Sequence, residues 1–180
     1  MGRIMTLRGT TPDTADNGRY LNFQIFSFEA NILEKGWIVK EFYFWPADVR
    51  AATGSTDGQF NLVATLSTDE IPSSLGGFGD LGSASDNRTF AWMQKGYNRR
   101  NSAIEDFITS PTGLYYDNKG IVDPDHVIND ALYINYYSTS DSTTSPQRKY
   151  NYMVVLEEIK LTPAKAILSL LKGKGQDLSN

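Results

Sequence analysis

His126 is the only histidine of this chain, and it follows Asp123-Pro124-Asp125. A histidine beside carboxylates is equipped for general-base work or metal ligation. Pro124 forces its neighbourhood into an extended or turned backbone, just ahead of the apolar run 132–137, LYINYY. The reading favoured here is a turn whose aspartates accept backbone N–H groups. There is no cysteine and no second histidine, so a transition-metal site lacks ligands. Calcium needs only oxygen, and Asp13, Asp16 and Asn17 in one loop, or Asp117 and Asn118 in another, offer it without EF-hand spacing. A calcium ion at a subunit boundary is therefore the one cofactor left open. No GxxxxGK(S/T) phosphate loop exists, and Lys172-Gly173-Lys174-Gly175 does not supply one. No GxSxG elbow occurs, and Gly76, Gly77, Gly79 and Gly82 are wrongly spaced for a dinucleotide fingerprint. These absences count against a nucleotide enzyme or serine hydrolase, and the expectation is a protein that is not an enzyme.

Binding is better provided for. The chain has 10 Tyr, 9 Phe and 3 Trp. Tyrosines pair at Tyr115–Tyr116 and Tyr136–Tyr137, and consecutive strand residues face opposite ways. Tyr116 and Tyr137 are thus candidates for an outward, inter-subunit or sugar-stacking role, against the plainer use of aromatics as β-formers. Lys95, Arg99 and Arg100 form a small basic group, too narrow by itself to indicate nucleic acid. The net charge of −4 is uneven: residues 148–180 carry +3 and the remainder −7. A polyanion would meet the C-terminal end, where Lys165, Lys172 and Lys174 are the nucleic-acid candidates; scattered surface lysines are the alternative.

These residues must be positioned by strands. With 180 residues, 40% hydrophobic and 21% charged, the chain suits one domain with a real core. Leu21, Phe23 and Ile25 alternate with polar neighbours, and the phase then slips to Phe26 and Phe28, as at a bulge. Further strands are expected at 37–45, 59–66, 89–94, 113–116, 132–137 and 150–161. Short strands divided by Gly, Ser, Asp and Pro indicate an all-β, single-domain sandwich or barrel with a short C-terminal helix. The expected division is an N-terminal arm or loop over 1–19, the sandwich over 20–161, and a helix with a basic tail over 162–180.

Two connections are unusual. Residues 67–88 form a long, Gly-containing link, and 138–146 form a small, polar one. A short helix is expected at 101–109, capped by Asn101 or Ser102. The clearer helix starts at Thr162 as N-cap with Pro163 following, and Gly173 ends it. Ile167, Leu170 and Leu171 make one apolar stripe on it. That stripe packs either on its own sheet, the default, or on a neighbouring subunit. The long link, the N-terminal segment and this helix are the expected inter-subunit elements.

No apolar run reaches the length of a membrane span. The first residues lack the apolar stretch of a secretory signal, so cytoplasmic synthesis is expected. Gly2 and Thr6 fit the short myristoylation pattern, which also matches often by chance.

The segments WIVKEFYFWPADV (37–49), VDPDHVINDALYINYYS (122–138) and YNYMVVLEEIKLTPAKAILSLLKGKGQDL (150–178) resemble those of small single jelly-roll capsid proteins of single-stranded DNA or RNA viruses. The resemblance implies a jelly-roll sandwich, self-assembly into a symmetric shell around a genome, a virion location, and synthesis in host cytoplasm. Such proteins often begin with a strongly basic arm, whereas residues 1–19 offer only Arg3, Arg8 and Arg19. Genome contact would then fall to the C-terminal lysines. The alternatives are a carbohydrate-binding β-sandwich module and a phage tail, tube or fibre component.

Overall fold

The computed structural model describes residues 2–13, 18–28, 35–47, 58–101, 106–109, 119–128, 130–140, 149–164 and 166–168. Its strands are β1 Ile4–Thr10, β2 Arg19–Ser27, β3 Lys35–Pro46, β4 Gly58–Ser67, β5 Thr89–Asn101, β6 Asp106–Thr109, β7 Ile121–Val122, β8 Ala131–Ser140 and β9 Tyr150–Lys160. One sheet is ordered β1-β9-β3; the other is ordered β2-β8-β4-β5-β6, with β7 attached to β5. The expected all-β sandwich of antiparallel strands forms, with few helices.

The pairing is nested. β1 pairs with β9, β2 with β8, and β4 with β5, while Tyr43 of β3 bridges to Lys119. The chain is therefore one long hairpin folded over into two layers. Residues 119–123 stitch those layers together. The Gly120 N–H donates to the Phe42 carbonyl at 2.7 Å in one sheet, and the Asp123 N–H donates to the Phe90 carbonyl at 2.7 Å in the other.

Alternation puts Leu62, Ala64 and Leu66 of β4 into one core with Phe42 and Phe44 of β3 and Val154 and Leu156 of β9. Much of the aromatic content is consumed there. Tyr150 lies 5.2 Å from both Phe44 and Tyr136, ring to ring, and Phe44 lies 5.4 Å from Tyr136. The phase slip in β2 is a real irregularity. Its register against β8 shifts between Tyr20 and Phe23 and again between Gln24 and Phe26, and Asn22 takes a φ of 60°.

Several expectations need correction. Residues 1–19 contain a full strand, β1, because Met5 and Leu7 alternate onto the core and outweigh the polar residues between them. Where a helix is expected at 101–109, the described residues are strand: β5 runs on to Asn101 and pairs with Asp106–Thr109, which is β6. Cross-strand pairing there overrides local helix signals. The 67–88 link is not structureless. It holds a 3-10 turn, Ser73–Leu75, and a short helix, α1, Phe78–Leu81. The strand expected at 113–116 lies outside the described residues. β8 extends through Ser140, and residues 141–146 of the polar link also lie outside.

The terminal helix starts where expected, with the Ala166 N–H donating to the Thr162 carbonyl at 2.9 Å. Ala166 is buried with Val127 and Leu161 against Ile38 and Ile159, so this start docks on the protein's own sheet. Among the described residues no helix is long and apolar enough to cross a membrane.

Candidate assembly surface

The Asp123–His126 segment folds as a turn. Asp123 Oδ1 accepts the Asp125 N–H at 3.0 Å, as the proline-bounded sequence indicates. His126 is buried, with its ring stacked on Phe90 at 4.2 Å and its Nε2 3.3 Å from Thr68 Oγ1. It works as a packing residue between the turn and the sheet. Asp13 pairs with Lys149 at 4.0 Å, while Asp16, Asn17, Asp117 and Asn118 lie outside the described residues. Among the described residues, no three His, Cys, Asp or Glu side chains cluster to hold a metal.

Of the basic group in β5, Lys95 is placed, while the side chains of Arg99 and Arg100 lie outside the described residues. Lys95 is only 8% exposed and lies on the same strand face as the buried Met93 and Tyr97, with Nζ 5.6 Å from the Tyr97 ring centroid. The even spacing 93-95-97 carries that information, but lysine is rarely read as an inward residue. Burial raises the Tyr97 and Tyr136 hydroxyls well above the usual tyrosine range.

Tyr136 and Tyr137 do face opposite ways. Tyr136 enters the core; Tyr137, the inter-subunit candidate, is half-buried on the outer face of the larger sheet, 6.1 Å from the Phe78 ring. There it joins Val63, Leu21, Ile71, Leu75 and Leu81, which the 67–88 link presses onto the sheet. The link thus packs on the protomer's own sheet. An amide relay fixes it. The Asn22 side chain donates Nδ2–H to the Ile71 carbonyl at 3.1 Å and accepts the Ile71 N–H at 2.7 Å, as a strand would. The Asn22 N–H donates to Asn135 Oδ1 at 2.7 Å, and Asn135 Nδ2 donates to Ser67 Oγ at 2.9 Å. Sequence reasoning missed this relay. Its partners are 49, 113 and 68 residues apart, so no local pattern reports it.

The smaller sheet has a different exterior. Its register sets four outward rows across β1, β9 and β3: Ile4–Glu157–Ile38, Thr6–Val155–Glu41, Arg8–Met153–Tyr43 and Thr10–Asn151–Trp45. Tyr43, Trp45, Met153 and Val155 are half-buried and belong to none of the three apolar clusters of the described residues. Lys119 Nζ donates to Glu41 Oε1 at 2.8 Å and Tyr43 Oη to Glu41 Oε2 at 3.1 Å, which holds the Glu41 carboxyl below its usual range. Lys119 also sits 5.8 Å from the Tyr43 ring centroid. The result is a fixed face of mixed aromatic and charged character. Ile4 at one edge is 62% exposed, and Ile167 and Leu168 on the terminal helix are 55% and 66% exposed. Of the remaining candidates, Tyr116, Leu170, Leu171, Lys172 and Lys174, together with the side chain of Lys165, lie outside the described residues.

No protein-family model and no curated protein matches this chain. Among solved structures, it is similar to a chain in the structure of infectious bursal disease virus, Gt strain, at a TM-score of 0.28 and 12% identity. The match covers 88% of this chain and 33% of the viral one, so this chain spans about a third of the length of its match. At that score no residue-by-residue correspondence follows.

Proposed function

We propose that this protein is a non-catalytic structural coat protein, a jelly-roll sandwich that associates with copies of itself into a symmetric shell. The observation that carries the reading is the smaller sheet's exterior, where Tyr43, Trp45, Met153 and Val155 lie half-buried outside the apolar clusters of the described residues, while the 67–88 link packs on the other sheet. Large, stiff aromatic side chains on a rigid sheet are what a protein–protein interface core uses. The nested pairing supports the jelly-roll form, since a long hairpin rolled into two layers is that topology's plan. Repeated interfaces, each hiding on the order of 1,600 Å², add up to a stable particle. The C-terminal Lys165, Lys172 and Lys174 are the proposed genome contacts, in a virion setting.

The test is light scattering with negative-stain imaging of purified protein. Particles of one diameter support a shell, and rods support the tube or fibre form. A species near 20 kDa at every concentration ends the proposal.

One observation favours a second reading. Tyr43 and Trp45 share a strand face beside the Glu41–Lys119 pair, which suits stacking and hydrogen bonding to a sugar ring. A monomer or dimer that binds glycans by calorimetry, with binding lost in Trp45→Ala, would favour that carbohydrate-binding module.

A further inference from the structure

Sheet edges are where an antiparallel sandwich is exposed to further pairing, and natural proteins cover, bend or charge them. Here β2, one edge of the larger sheet, is tied by its side chains to the 67–88 link. The Asn22 amide closes on Ile71, and Arg19 Nη1 donates to the Ser73 carbonyl at 3.3 Å. The outer edge of β3 is bridged at Tyr43 by Lys119. β1 has no such cover among the described residues. Its register with β9 runs from Ile4↔Glu157 to Thr10↔Asn151 without a shift, and it contains no proline. Its even residues are all exposed.

Backbone direction can be read from the strand ends. The Glu158 N–H donates to the Arg3 carbonyl, and the Thr11 N–H donates to the Tyr150 carbonyl, both at 2.8 Å. Odd residues of β1 therefore point their backbone groups at β9. Even residues, Ile4, Thr6, Arg8 and Thr10, point theirs away from the sheet.

We propose that two copies of this chain join β1 to β1 antiparallel across a two-fold axis through Leu7. The proposal rests on the self-association reading above and names its contact. In this register Ile4 faces the partner copy's Thr10, and Thr6 faces the partner copy's Arg8. All four outward residues are used, and each facing pair exchanges two hydrogen bonds, about eight in all. A shift of one pair toward the C-terminus sets Arg8 opposite Arg8 and loses a pair, so charge and overlap select the same register. The two small sheets become one six-stranded sheet, with both Tyr43–Trp45 faces on the same side. The contact is self-complementary and closes on itself, which leaves no open β1 edge.

The absence of native cysteine makes the test direct. Facing residues lie about 5.5 Å apart at Cα, within disulfide range. A mixture of Thr6→Cys and Arg8→Cys proteins, oxidised gently, should give at least about tenfold more disulfide dimer than either alone. Thr6→Pro removes an outward N–H and no β9 bond, so it should abolish the contact while circular dichroism stays unchanged. If the protein associates by light scattering but the mixture cross-links no better than the single variants, β1 pairing is wrong and the assembly reading survives. If the protein stays monomeric at all concentrations, both fall.

Discussion

Asn22 shows how much one side chain carries here. Its φ of 60° is a conformation asparagine tolerates better than most residues, and its amide satisfies both backbone groups of Ile71. Asn22→Ala should leave buried polar groups unpaired, at roughly 1–3 kcal/mol each. The expected results are a lower urea midpoint and faster proteolysis within 67–88 than in wild type. Asp86 and Arg88 give a pH prediction. Burial raises the Asp86 carboxyl, but the Arg88 side chain and backbone N–H more than offset this, leaving it below its ordinary 3.8. The unfolded chain therefore takes up this proton first as pH falls. The stabilisation is complete above the ordinary value and is lost below it, as pH drops through the folded value. Urea titrations between about pH 6 and pH 2.5 should show a shallower acid-side loss in Asp86→Asn.

At the scale of elements, the stitch at 119–123 and the terminal helix matter most. A Cβ on Gly120 would stand 2.8 Å from Phe42 Cδ1 and 2.9 Å from the Trp92 carbonyl oxygen, and the latter is backbone that cannot step aside. Gly120→Ala should cost roughly 1–3 kcal/mol by overpacking, read as a lower melting temperature. On the terminal helix, Ala166 is buried and Ile167 and Leu168 are exposed. Ala166→Asp should destabilise the monomer, because it places an unpaired charge among Val127, Leu161 and Ile38. Ile167→Asp with Leu168→Asp should leave the melting temperature nearly unchanged and weaken association, if this turn also meets a neighbour. Equal association by light scattering would confine the helix to its own sheet.

For the whole molecule, the difference between the two outer faces is the organising feature. The 67–88 link packs on the larger sheet, whereas the smaller carries a half-buried aromatic face beside a strand edge that is uncovered among the described residues. Tyr43→Ser with Trp45→Ser should keep the fold, since both side chains lie outside the core clusters, and should shift association to higher protein concentration. Concentration-dependent light scattering measures this. An unchanged association curve would move the contact elsewhere.

The class of fold is legible along the chain. Alternation in β3, β4, β8 and β9 is a local property of the chain, and it set both the strands and which faces are buried. Its turn residues also set the 123–126 turn and the start of the terminal helix. Tertiary contacts settled the rest. β1 is a strand because β9, far along the chain, accepts it, β6 is one because it turns back on β5, and Lys95 turns inward because its neighbours on the strand do. Tyr137 is taken by Phe78, and Asn22 by Ile71, through contacts between residues far apart in the chain. A periodic pattern reports which side of a strand is buried. It does not report which strand lies beside it, and that determines which edges and faces remain open.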